Sequence, residues 1–162
     1  MKKITQKCRG FTLIELMIVV AIVAFLSMVS MPSFFRFLAK AKRTEAYMNL
    51  GTLYLAEKAY WAENGKYTTQ LIGKDGAGWQ PEGYSGGGAN ERFYYTYGFS
   101  GQEGHCCFTG KLGASGSSLG DTKADANTFL AAAIGDIDGD GTDDRLTVDH
   151  RNEIKITHDD LA

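Results

Sequence analysis

Cysteine, histidine and proline are scarce in this chain, which has three cysteines, three histidines and two prolines among its 162 residues. Beyond residue 100 the only cysteines are the neighbours Cys106 and Cys107, so no disulfide bond can close a long loop near the C-terminus. The histidines lie outside any triad-like or metal-binding spacing, and neither a His-Glu-x-x-His helix nor a phosphate-binding loop is present. We therefore predict no catalytic residue and do not expect an enzyme.

Acidic residues are absent from the first ten positions, which carry four cations, Lys2, Lys3, Lys7 and Arg9. An apolar run from Phe11 to Phe35 follows, long enough to cross a hydrocarbon core of about 30 Å as one helix at about 1.5 Å per residue. The positive-inside rule places residues 1–10 in the cytoplasm and the C-terminus outside. No other segment is long and apolar enough to span a membrane.

Glu15 is the one ionisable side chain within this apolar run. A carboxylate in hydrocarbon costs about 2.5–3.5 kcal/mol on insertion scales, which indicates a functional role and a partner. Two other interpretations remain open: the side chain snorkels to the nearby interface, or it is protonated. A secretory signal peptide fits poorly, because its cleavage site follows the apolar core, whereas the small residue Gly10 precedes it.

The segment from Lys7 to Leu16 resembles the processing site of the type IV pilin family, which includes major pilins, minor pilins and the pseudopilins of type II secretion. The shared features are Gly10 followed by Phe11, Glu15 five positions into the new chain, and an unbroken apolar helix. Close resemblance covers about residues 7–67. It implies that a prepilin peptidase cuts after Gly10 and methylates the Phe11 amine, so that N-methylphenylalanine begins a mature chain of 152 residues, which is 162 less 10.

The resemblance also implies how subunits assemble through this helix. The partner of Glu15 would be the cationic Phe11 amine of a neighbouring subunit, which would offset the desolvation of both charges and set the register. Pro32 corresponds to a family proline near which the helix loosens inside filaments. This chain departs from the family pattern at Ala24, where a glycine is usual.

We predict three parts: a cleaved leader at 1–10, a transmembrane and assembly helix at 11–35, and a globular domain at 36–162. Helical spacing of Tyr47, Leu50, Leu53 and Glu57 predicts an amphipathic helix over 36–64, ended by Gly65. Beside the membrane, this helix carries a basic cluster that contacts either lipid headgroups or acidic patches of neighbouring subunits. The cluster consists of Arg36, Lys40, Lys42 and Arg43.

A loop over 65–91 and an antiparallel sheet over 92–158 should follow the helix. Alternating apolar residues predict strands at 93–99, 105–111, 128–134 and 145–149, and a terminal hairpin turning at Asn152. The expected fold class is α+β, with a four- or five-stranded antiparallel sheet packed on the second half of the long helix. The family resemblance implies the same pilin-like roll.

Cys106 and Cys107 permit three interpretations: two buried thiols, a strained vicinal disulfide, or disulfide bonds between subunits. A metal site that includes His105 is disfavoured, because adjacent residues of a strand point in alternate directions.

An acidic segment near the C-terminus matches the front of an EF-hand calcium loop. Acids occupy positions 1, 3 and 5, and Gly141 occupies position 6, where the loop turns sharply. Thr147 replaces the bidentate glutamate of position 12, so weaker Ca²⁺ binding than in a sensor EF-hand is expected. The alternative is an acidic Asp-Gly turn between two strands. The predicted ligands are Asp136, Asp138, Asp140, Thr142 and Asp144.

These features together predict a structural subunit of a type IV pilus, held in the bacterial inner membrane before assembly and extracellular in the pilus afterwards. Its expected partners are copies of itself, the prepilin peptidase and the assembly machinery of the inner membrane. Removing the four leader cations changes the formal net charge from −2 to −6, and no specific nucleic-acid binding is expected of an acidic domain. The alternatives are a pseudopilin of type II secretion, or a membrane-anchored calcium-binding module, which would have no use for Glu15.

Overall fold

The computed structural model describes residues 10–114 and 116–161, and in them one long helix precedes an antiparallel sheet. The helix α1 spans Leu13–Asn64 and contains Pro32. A 3₁₀ helix spans Gly116–Leu119. The strands are β1 (Thr96–Gly98), β2 (Cys107–Phe108), β3 (Lys123–Ala124), β4 (Phe129–Gly135), β5 (Asp144–Asp149) and β6 (Ile154–His158).

The chain divides into two compact units, one ending at Phe37 and one beginning at Leu38. In the first unit, α1 contains an apolar stretch with a mean hydropathy of 2.6, long and apolar enough to cross a membrane. The Ser27 hydroxyl donates a hydrogen bond to the Val23 carbonyl, four residues earlier on the same helix. Such bonds satisfy hydroxyl groups where no water is present.

In the second unit, the described strands form one antiparallel sheet in the order β2-β1-β4-β5-β6, with β3 also paired to β4. The predicted α+β class is confirmed, but the sheet has six strands rather than four or five. The additional strand, β3, has only two residues, which is too short for an apolar alternation to reveal.

Buried residues of α1 pack on one face of this sheet. Leu50 and Leu53 lie in a cluster with Leu146 and Val148 of β5 and with three aromatic residues that alternate along the chain, Tyr95, Tyr97 and Phe99. The opposite face of β4 carries Ala132 and Ile134, which pack against Leu119 of the 3₁₀ helix. The sheet therefore has apolar contacts on both faces.

The first two predicted strands are shorter in the structure than the alternation suggested. β1 covers three residues of 93–99, and β2 covers two residues of 105–111. Backbone hydrogen bonds continue beyond them, from Lys111 N to the Phe93 carbonyl and from Leu112 N to the Tyr94 carbonyl. The aromatic alternation therefore marks a buried, extended segment, of which only part forms regular ladder pairs.

Tight turns end α1 and join β5 to β6. Gly65 follows α1 with a φ of 70°, and its amide donates to the Trp61 carbonyl. This left-handed conformation favours glycine, because it has no Cβ. Asn152 has a φ of 63° in the hairpin between β5 and β6, a conformation that asparagine tolerates better than most residues.

Candidate functional sites

The first candidate site is the beginning of α1, where Thr12 and Glu15 form a reciprocal capping box. Glu15 Oε2 accepts hydrogen bonds from the Thr12 amide at 3.0 Å and from the Thr12 hydroxyl at 2.7 Å. The Glu15 amide donates back to Thr12 Oγ1 at 3.3 Å. Thr-x-x-Glu before an apolar run is a known helix-start signal, so the sequence itself indicates this contact, which the prediction of an intersubunit partner for Glu15 overlooked.

The helix that follows presents a long, predominantly apolar surface. Every large apolar side chain between Phe11 and Phe37 is at least 50% exposed. Leu16, Val20 and Ala24 line one shallow apolar groove, and Ala24, Pro32 and Phe35 line another. Gly10 and Phe11, the predicted processing residues, are both exposed.

The second candidate site is a group of four aspartates at the loop between β4 and β5. Asp136, Asp138 and Asp140 of this loop come together with Asp160 near the C-terminus, and one carboxylate oxygen from each lies within 4.8 Å of the others. We call these four residues the carboxylate cluster. Its geometry brings together three of the five predicted ligands and adds Asp160, which was not among them.

The loop is shaped by hydrogen bonds from its own backbone. The amides of Gly139 and Gly141 donate to the two oxygens of Asp136, at 2.7 and 3.0 Å. Both glycines have positive φ angles, 88° and 92°, which turn the chain around the carboxylate. The Thr142 amide donates to Asp140 Oδ1 at 2.7 Å, and the use of the Thr142 carbonyl as a ligand stays a prediction.

Asp160 differs from the loop aspartates because it is buried, with only 8% of its surface exposed. Its Oδ2 accepts a hydrogen bond from the Ile137 amide at 3.0 Å, and Oδ1 has no hydrogen-bond partner among the described residues. Burial raises the pKa of Asp160, and the nearby charges of Asp138 and Asp140 raise it further. No local spacing rule connects Asp160 to the loop, so only the folded chain reveals it.

Asp144, the fifth predicted ligand, lies outside the carboxylate cluster. It is fully buried at the start of β5 and receives two hydrogen bonds from the Arg43 guanidinium, at 2.6 and 3.0 Å. The Tyr95 hydroxyl donates to it at 2.6 Å. Since β5 begins here, with Asp144 paired to Gly135, this residue lies in the sheet and not in the loop that holds Asp136, Asp138 and Asp140.

Two members of the predicted basic cluster contact their own domain. Arg43 binds Asp159 as well as Asp144, and the Lys42 ammonium donates to the Ile137 carbonyl at 2.6 Å. Neither of the predicted roles, contact with lipid headgroups or with neighbouring subunits, is therefore needed to explain these two residues. Arg36 and Lys40 are exposed.

Both cysteines of the described chain are buried free thiols. Burial, with the adjacent charge of Glu103, raises the pKa of Cys107 to about 12. The thiol therefore stays protonated at neutral pH, and its nucleophilicity is low. This arrangement matches the first of the three interpretations offered above and indicates a packing role.

Comparison with known proteins adds three findings. Residues 5–31 match the family described as the prokaryotic N-terminal methylation motif. The type IV major pilin protein PilA of Myxococcus xanthus (strain DK1622) is 50% identical over 60 residues, which cover 37% of this chain and 27% of that protein. The fimbrial protein EcpC of Eikenella corrodens is 36% identical over 84 residues, which cover 41% of this chain and 55% of that protein.

The matched segments span less than two thirds of either relative, so the likeness does not extend over the whole of those proteins. Within the described residues, the match overlaps the apolar first part of α1, where the capping box and the exposed side chains lie. The N-terminal segment of this chain is therefore similar to a type IV major pilin and to a fimbrial protein, and it matches the methylation-motif family.

Proposed function

We propose that this chain is a structural subunit that polymerises through the first part of α1 into a type IV pilus. The observation that carries the proposal is the apolar surface between Phe11 and Phe37, where every large apolar side chain is at least half exposed. Covering one such side chain contributes about 1 kcal/mol or more. Lipid would cover this surface before assembly, and the helices of other subunits would cover it in the filament.

Processing at the leader would prepare the subunit for assembly. The family resemblance implies cleavage of the Gly10–Phe11 bond by a prepilin peptidase and methylation of the new Phe11 amine. The basic leader favours a cytoplasmic N-terminus in the inner membrane, and the globular domain would lie on the other side.

Glu15 would serve two purposes in this scheme. Within the subunit it caps the helix, and the capping bonds use one carboxylate oxygen, Oε2. Between subunits its negative charge would pair with the Phe11 amine of a neighbour in the apolar filament core. An unpaired carboxylate at that depth would oppose assembly, because burying a charge without a partner is costly.

Two substitutions separate these purposes. Glu15→Gln keeps a side chain that can cap the helix at this position but removes the charge. Thr12→Ala removes the hydroxyl of the capping box and leaves the charge. The yield of filaments sheared from the cell surface is compared with the amount of subunit in the membrane by immunoblotting.

We expect Glu15→Gln to lose most sheared filaments while its membrane level stays near that of the parent. Thr12→Ala should retain filaments, because loss of a cap costs only about 1 kcal/mol. The intersubunit role of Glu15 would be refuted if both variants lost filaments equally, or if Glu15→Gln assembled like the parent.

A further inference from the structure

The carboxylate cluster joins two distant parts of the second unit. Three of its members lie in the loop between β4 and β5, and Asp160 lies two residues from the C-terminus. Four oxygens, one from each residue, lie within 4.8 Å of one another. Two oxygens bound to the same Ca²⁺ at 2.3–2.6 Å are separated by at most about 5 Å, so this spacing suits one ion.

Asp160 supplies an independent indication of a ligand. The residue is more than nine-tenths buried, and Oδ1 has no hydrogen-bond partner in residues 10–114 and 116–161. A buried oxygen without a partner is unfavourable, because the water that would have solvated it is lost. The same side chain is held against the loop by its bond from the Ile137 amide and belongs to the carboxylate cluster.

Nearby cationic side chains are already engaged elsewhere. Arg43 binds Asp144 and Asp159, and the Lys42 ammonium contacts the Ile137 carbonyl. Among the described residues, no ion pair includes a member of the carboxylate cluster. Four carboxylates at this spacing repel one another, and a divalent cation would turn that repulsion into attraction.

We propose that the carboxylate cluster binds one Ca²⁺ and that this ion fastens the C-terminal residues to the loop between β4 and β5. An all-oxygen ligand set is what Ca²⁺ prefers, and carbonyls or water can complete its six to eight positions. Mg²⁺ binds less well at such a site, because it demands a tight octahedron and holds its own water strongly. The inference does not depend on filament assembly.

The ion would strengthen an attachment that the fold already contains. Asp159 binds Arg43 of α1, and Leu161 packs against the main apolar cluster. Between these two residues, Asp160 would link the tail to the loop through the ion. Because the ion needs both segments in place, it binds the folded state and raises its stability.

The test uses the full processed chain in detergent micelles. Calcium is removed with a chelator, CaCl₂ is titrated in by isothermal titration calorimetry, and the thermal midpoint is followed by near-ultraviolet circular dichroism. Asp160→Asn removes the buried ligand charge but keeps an oxygen for the Ile137 amide. The matched control is Asp143→Asn, which removes the same charge from an exposed residue of the same loop, outside the carboxylate cluster.

For the parent we expect a Kd of about 0.1–1 mM, as in extracellular calcium modules, and tighter binding of CaCl₂ than of MgCl₂. At ten times the Kd, calcium should raise the thermal midpoint by about 5 °C. Asp160→Asn should bind about tenfold more weakly or worse, because the charge of the ligands sets the affinity. Asp143→Asn should bind much as the parent does.

Three results would overturn the proposal: no heat and no thermal shift with calcium in the parent, equal binding of magnesium, or unchanged affinity in Asp160→Asn. If Asp160→Asn does not fold, Asp138→Asn tests the same site from the exposed side of the loop. Parent-like calcium affinity in that variant would contradict the carboxylate cluster as the site.

Discussion

Glu57 offers a test of how this domain tolerates a buried charge. Glu57 is fully buried on α1, about one helical turn after Leu53 and on the same buried face of the helix. Oε2 accepts a hydrogen bond from the Thr68 amide at 3.2 Å, whereas Oε1 has no partner among the described residues. Burial raises the pKa of Glu57 from 4.5 to about 7, against a smaller opposing effect of the Thr68 amide.

The sign of the pH dependence follows from this shift. Below pH 4.5 the carboxyl is protonated in both the folded and unfolded states, and it adds no pH dependence. Between 4.5 and about 7 the folded state holds the proton and the unfolded state releases it, so the free energy of unfolding falls as the pH rises. At about 1.4 kcal/mol per pH unit, the loss amounts to about 3 kcal/mol by pH 8.

Glu57→Gln should remove this loss, because the amide keeps an acceptor for the Thr68 N–H and does not ionise. As the pH rises from 4.5 to 8, the free energy of unfolding of the variant should therefore increase relative to that of the parent, by up to about 3 kcal/mol. Urea unfolding of the processed chain in detergent, followed through the buried Trp79, measures the difference at each pH.

Glu63→Gln is the matched control, because Glu63 lies on the same helix but is exposed. It should leave the pH dependence of the parent unchanged. Two outcomes would refute the reasoning. In one, the free energy of unfolding of Glu57→Gln depends on pH as that of the parent does; in the other, Glu63→Gln is stabilised at high pH as much as Glu57→Gln.

Two further predictions concern the core. Asp144→Asn should destabilise the domain by about 3–5 kcal/mol, because it leaves Arg43 without its buried partner, while calcium affinity stays near that of the parent. Urea midpoints measure the loss of stability, and calorimetry measures the calcium affinity. A large loss of calcium binding in a folded Asp144→Asn variant would indicate that Asp144 is a calcium ligand after all. Leu50→Ala should cost about 2–5 kcal/mol, whereas Leu55→Ala, at a residue exposed on the same helix, should cost far less; equal urea midpoints for the two would contradict the packing of α1 on the sheet.

The fold class was predictable because its signals are local and repeated. An apolar run as long as 11–35 has few interpretations, and the spacing of Leu50 and Leu53 marks the helix face that is buried. Asp136, Asp138 and Asp140 were recognisable because alternate residues of one short loop can converge. In each case the residues that act together are close in sequence.

The remaining features depend on contacts between distant segments. Asp144 fits the loop pattern by position, but pairing of β5 with β4 and the approach of Arg43 from α1 place it in the core. Asp160 reaches the carboxylate cluster only because the tail folds back after β6. No spacing within the sequence encodes either outcome, since both follow from tertiary packing.

The most direct test of the assembly proposal is mass spectrometry of material sheared from the cell surface, compared with the membrane fraction. Trypsin should release an N-terminal peptide running from Phe11 to Arg36, since no lysine or arginine lies between them. We predict that this peptide is abundant in the sheared material and carries one extra methyl group on the Phe11 amine. A chain that keeps residues 1–10 in both fractions, or is absent from the sheared material, would contradict the account.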